Sequence, residues 1–209
     1  LWAAALLALA GAAQAADPGV FDDRLVIGGV LPQTGPPSLI GKAGVIALRV
    51  WEKDVNARGG IHGRKIDLRV EEDGYVPQRS VQAIKKLVDV DKVFAVIGTS
   101  GSSHLMAMMP TIEENQLPAI NFAAVAGTHF NPPRKTVFNI GATYCQEVTG
   151  VMKHLIATRK LQKAKFALIY QDDDFGADVK CGYDAALKSA GLSSTIDVPY
   201  KRAQKDFSA

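Results

Sequence analysis

Cysteine is scarce. There are two in 209 residues and neither belongs to a CxxC pair, which excludes a small disulfide-built scaffold, a zinc ribbon and a thioredoxin-type site. An excess of one charge is also lacking: 24 basic residues against 21 acidic leave a net charge of +3, so no nucleic-acid partner is expected. Long apolar runs are confined to residues 1–15 (LWAAALLALAGAAQA), a stretch too short to span a bilayer. It carries no charge and ends in Ala13-Gln14-Ala15, the small-x-small pattern of a signal-peptidase site. It is therefore expected to be a signal peptide without its methionine and basic start, cleaved after Ala15, with the mature chain exported to a periplasm.

Enzyme signatures are missing as well. Gly35 to Ala43 (GPPSLIGKA) has five residues between its glycines where a phosphate loop has four, and Ala43 stands where a magnesium-binding hydroxyl belongs. Ser100 in GTSGS lacks the spacing of a nucleophile elbow, and no GxGxxG follows the first apolar run. His62, His104, His129 and His154 have no partner at metal-ligand spacing and are expected to be surface or hydrogen-bonded residues. The run Asp172-Asp173-Asp174 is contiguous where a calcium loop alternates, and reads as a helix cap. No catalytic residue, metal or cofactor is expected.

What is present is an alternation of strands and helices. Short β-branched runs at 24–30, 64–71, 93–97, 118–122 and 137–140 are separated by stretches with apolar residues at helical spacing, from Ser38 to Gly59-Gly60, over 78–89 and from Ser102. On the helix after Ser38 the apolar series is Ile40, Ala43, Ala47, Val50 or Trp51, and Val55, expected to face the sheet. Parallel pairing follows, because each parallel connection needs a crossover, and helices then cover both faces. After the break at THFNPPRKTV a second series begins, with helices over 146–159 and 177–190 and strands over 166–170 and 195–198. A lobe boundary is expected near Gly141, giving 16–141 as the N-terminal lobe and 142–209 as part of a second lobe. Asp206 reads as the cap of a helix that begins at Phe207. Cys145 and Cys181 fall on neighbouring helices of that second series, and in an exported protein they are either a disulfide or two buried thiols.

In open α/β sheets ligands bind beyond the strand C-termini, where strand order reverses. Three loops stand there: 32–40, 99–104 (TSGSSH) and 123–128 (AAVAGT). Small residues let backbone N–H groups approach a ligand, and Ser102 and Ser103 open a helix whose N-terminus favours a carboxylate.

The blocks LVIGGVLPQTGP, VNARGGIHGRKIDLRVEEDGYVP, VFAVIGTSGSS, LPAINFAAVAG and FALIYQDDDFG resemble, in order, the periplasmic branched-chain amino-acid (leucine/isoleucine/valine) binding proteins of ATP-driven importers. The resemblance implies an α/β, two-lobed type I fold with a parallel doubly wound sheet in each lobe, the second lobe incomplete here. It implies no enzyme activity, a small-molecule solute and a membrane permease as partners, and a ligand held by lobe closure. A ligand-sensing receptor module on the same fold is the alternative. By resemblance the ligand-binding positions fall on Ile40, Ser102, Ala123, Ala124, Val125, Gln146 and Phe175, to which the helix start adds Ser103. At Ile40, Val125 and Gln146 the family's usual tyrosine, threonine and acid are replaced. A buried α-ammonium group needs acceptors, so these departures point to an organic acid with an apolar or aromatic body, a branched-chain amino acid being the alternative.

Overall fold

The computed structural model describes residues 17–202, 204 and 206. The expected signal peptide and the expected helix after Asp206 lie outside the described residues. Among those described, no helix is long and apolar enough to cross a membrane.

The elements are β1 (Arg24–Val30), α1 (Ser38–Ala57), β2 (Lys65–Glu71), α2 (Pro77–Asp89), β3 (Ala95–Thr99), α3 (Ser102–Glu114), β4 (Ala119–Asn121), β5 (Val137–Asn139), α4 (Tyr144–Thr158), β6 (Phe166–Gln171), α5 (Asp174–Ser189) and β7 (Ser194–Tyr200). A 3₁₀ turn, Gly127–His129, interrupts the connection from β4 to β5. Five strands form one sheet in the order β2-β1-β3-β4-β5, and β6 and β7 form a second. All these pairings are parallel. The chain runs outward from β1 to β2 and returns past β1 to β3, so the reversal of order falls between β1 and β3.

Strand alternation sends neighbouring side chains to opposite faces. Val26, Val30 and Val96 pack under α2 and α3 with Ile84, Leu87, Leu105, Met108 and Ile112. Ile27, Leu31, Ile66, Leu68 and Ala95 pack under α1 with Leu48. Burying side chains of this size stabilises the fold by about 1.5–3 kcal/mol each, and Ile84, Leu87, Leu105 and Ile112 are wholly shielded. A smaller cluster, Ile156, Tyr183 and Leu187, joins α4 and α5 over the second sheet.

The expected face of α1 needs correction. Gly41 and Leu48 are its buried residues, with Val45, Trp51 and Val55 partly covered, while Ile40 and Val50 are exposed. Gly41 sets this rotation: a Cβ there would lie 1.7 Å from the Pro32 carbonyl oxygen, so the helix meets the strand end at a residue with no side chain. The third strand is shifted two residues forward, to Ala95–Thr99, and Val93 is buried in the turn before it.

Candidate functional site

Two local features bring the loops beyond β3 and β4 side by side. Ser100 bridges Ala123 in the parallel sense, and the buried Thr99 hydroxyl donates to the Asn121 side-chain oxygen. Gly101, at φ 95°, turns the chain into α3, and a Cβ there would lie 2.3 Å from His104 Nδ1. Neither serine that follows caps its own helix. Ser102 Oγ is buried with no hydrogen-bond partner. Ser103 donates instead to Asp173 Oδ2, 3.1 Å away beyond the second sheet.

Opposite these loops stands the start of α4, which is rigidly held. Thr143 and Gln146 form a reciprocal capping box, the Cys145 N–H donates to Asp178 Oδ2 at 3.0 Å, and Cys145 is joined to Cys181 of α5. The Cys145–Cys181 pair is thus a disulfide, with Cα atoms 5.2 Å apart. This fixed start aims Tyr144 across the gap: its hydroxyl donates to the Ala123 carbonyl at 3.3 Å, and its ring meets Phe175 edge-on at 4.9 Å between centroids. Burial raises the Tyr144 phenol above its usual range, opposed by the Val125 N–H and the nearby Ser102 hydroxyl.

A second contact closes one side of the gap. Arg202 donates to Asp173 Oδ2 at 2.7 Å and lies over the Tyr75 ring, 4.4 Å from its centroid. Tyr75 stacks in turn on the buried His104 ring at 4.3 Å. Asp173 caps α5 through the Gly176 N–H, as expected for the aspartate run, and also receives the Gln171 amide. Burial alone would raise its pKa, but the Gly176 N–H, Gln171, Arg202 and Ser103 outweigh that and hold it below the ordinary carboxylate value.

Ser102, Ala123, Val125 and Phe175 thus gather around Tyr144, Ser103 meets the same side at Asp173, and Ala124 is buried behind them. Ile40 does not join them. It is 58% exposed and lies on the α1 side of the sheet, at an apolar groove of about 670 Å³ with Leu39, Trp51, Ile97 and Phe122. Gln146 is exposed, its side-chain oxygen engaged by the Thr143 N–H. His62 and His154 are at the surface, while His104 and His129 are fully buried, each with one ring nitrogen in a hydrogen bond and the other without a partner. The reason is local packing, His104 under Tyr75 and His129 folded beneath its own loop, where Nδ1 lies 3.1 Å from the Ala124 carbonyl. A carbonyl only accepts, so Nδ1 carries the proton. Tyr144, Tyr75 and Arg202 were missed because their roles depend on contacts across the gap, which no spacing within the chain displays.

Two parallel α/β units facing each other across small-residue loops at a strand-order reversal define a two-lobed solute-binding architecture of type I. Residues 25–209 match the family model described as "Periplasmic binding protein", and the chain belongs to that family. It is 26% identical over 210 residues to "Leu/Ile/Val-binding protein homolog 7" of Brucella melitensis biotype 1, covering 98% of this chain and 52% of the relative. An "Amino acid binding protein" of Pseudomonas aeruginosa is 28% identical over 185 residues, 88% of this chain and 49% of its own. Among solved structures, the fatty acid ABC transporter substrate-binding protein from Thermomonospora curvata superposes with a TM-score of 0.79 at 26% identity, over 90% of this chain and 47% of its own. The chain therefore spans about half the length of these proteins. All three are named as binding proteins rather than enzymes.

Proposed function

We propose that this protein is the exported solute-binding component of an ATP-driven importer and takes up a small carboxylate-bearing solute. Residues 16–141 form the first lobe and residues 142–209 contribute to the second. The signal peptide is removed after Ala15, and the mature protein works in the periplasm. Solute bridges Ser102, Ala123 and Val125 on one lobe and Phe175 on the other. It stabilises the closed state through its greater affinity for that state, and a membrane permease receives the closed shape.

One observation carries this reading. Ser102 Oγ is sealed from water at the first turn of α3, with the Tyr144 hydroxyl beside it but no hydrogen bond of ordinary geometry. An unmet buried donor costs about 1–3 kcal/mol, and beside a helix N-terminus it favours an anion that supplies the acceptor. The names of the relatives support the same group, since leucine, isoleucine, valine, amino acids in general and fatty acids all carry a carboxylate. Around that position stand Val125, Tyr144 and Phe175, walls suited to an apolar or aromatic body. Isothermal titration calorimetry of the full chain with leucine and with benzoate tests the proposal. Saturable heat with either is the expected result, and its absence with a wider panel of carboxylates refutes it.

A further inference from the structure

The cleft is unequal in its polar groups. The Ser102 hydroxyl has no hydrogen bond of ordinary geometry and the first N–H groups of α3 have no intrahelical partner, whereas two carbonyls and the carboxylate beside them are already engaged. A carbonyl oxygen has two lone pairs, and Ala123 O receives both the Gly101 N–H at 3.2 Å and the Tyr144 hydroxyl at 3.3 Å. The neighbouring Ala124 carbonyl receives His129 Nδ1–H. Asp173, the carboxylate at the cleft's side, is met on Oδ2 by Ser103, Gln171 and Arg202 and on Oδ1 by the Gly176 N–H.

We infer that Tyr144 is a specificity-determining residue that selects against an α-ammonium group by occupying, with its hydroxyl, the Ala123 carbonyl, an acceptor that such a group would otherwise meet. This inference rests on the carboxylate-solute reading above and narrows it to acids without an adjacent ammonium. A zwitterion entering this cleft loses the hydration of its ammonium and meets hydroxyl oxygens but no open carbonyl or carboxylate among these groups, a cost that its carboxylate contacts do not offset. An acid of the same carbon skeleton meets only the donors and the apolar walls. Tyr144 is suited to this role because it is preorganised. The capping box, the Cys145 N–H bond to Asp178 and the Cys145–Cys181 disulfide fix the start of α4, and Phe175 supports the ring edge-on.

The test uses pairs that differ only in the ammonium group: 4-methylpentanoate against leucine, and 3-phenylpropanoate against phenylalanine. Each is titrated into the full chain as the cell produces it, wild type and Tyr144→Phe. The wild type is expected to bind the plain acid at least about tenfold more tightly than its amino-acid partner, the worth of one hydrogen bond to a charged group. Tyr144→Phe keeps the ring and its contact with Phe175 but frees a lone pair on Ala123. It is expected to narrow that ratio at least about fivefold, chiefly by improving the amino acid. Phe175→Leu serves as a control, weakening both members of a pair and leaving their ratio in place. Tighter binding of leucine than of 4-methylpentanoate by the wild type overturns the inference whether or not the variant folds, and so does an unchanged ratio in a folded Tyr144→Phe. Both of those results leave the carboxylate reading standing. Failure of every acid and amino acid to bind the wild type overturns the two together.

Discussion

The guanidinium of Arg202, just beyond β7, lies over the ring of Tyr75, just beyond β2, with 4.4 Å between its central carbon and the ring centroid. The same group bonds Asp173 at 2.7 Å, so one side chain ties the second sheet's capping aspartate to an aromatic of the first unit. Arg202 is about a third exposed and Asp173 less, which limits the worth of the pair to about 1 kcal/mol. Arg202→Ala is expected to favour the open arrangement and weaken solute binding about fivefold. Calorimetry on the variant checks this, together with a larger radius of gyration in small-angle scattering without solute.

Ser102→Ala is expected to separate binding from stability. Binding weakens about tenfold or more through loss of a hydrogen bond to the solute's charge. Stability holds or rises by up to about 1 kcal/mol, because the hydroxyl removed is buried and unpartnered. Thermal unfolding without solute and calorimetry with it give the two answers; a large fall in unfolding temperature contradicts the expectation.

Acid is expected to destabilise the protein from pH 6.5 downward. Burial holds the pKa values of His104 and His129 below 6.5. Below that pH the unfolded chain takes up protons that the native rings resist. Stability is therefore complete above the unfolded value and declines as pH falls toward the native ones. Unfolding temperatures at pH 7.5 and pH 5 measure the drop, and His129→Gln is expected to shrink it. Asp173, with its lowered pKa, contributes a separate loss only below about pH 4.

Reducing the Cys145–Cys181 bond, which spans 36 residues of sequence, is expected to cost roughly 3–4 kcal/mol. Because the bond joins α4 to α5, the loss falls on the second unit and loosens the start of α4 that aims Tyr144. Calorimetric scans with and without reductant, alongside Cys145→Ser paired with Cys181→Ser, measure it.

The legible parts of the fold were those written in local periodicity. The first strand matched its apolar run residue for residue, and α2, α3 and α5 began at, or within three residues of, the expected positions. The helical spacing that begins at Ser102 also matches burial, with Leu105, Met109 and Ile112 inside. The spacing on α1 placed Val55 and, of the pair Val50 or Trp51, Trp51 against the core, but it misread Ile40, because the contact that orients the helix start is made by Gly41, a residue that carries no hydropathy signal. The same limit governed the cleft. Ser102 and the loop from Ala123 to Val125 announced themselves as small residues after strands. Tyr144 and Arg202 act across a gap of more than 20 and 120 residues of sequence respectively, to Ala123 and Tyr75, and only folding brings those partners together.

The reversal of strand order between β1 and β3 implies a division of labour. The first unit's share of the cleft is built largely from main chain and small side chains, which few substitutions can reshape without disturbing the sheet beneath. The second unit contributes bulky rings from helix starts whose backbone is anchored independently. Under the proposed role, a change of solute calls for exchanging those rings over an unchanged cradle, so variation should accumulate in the second unit.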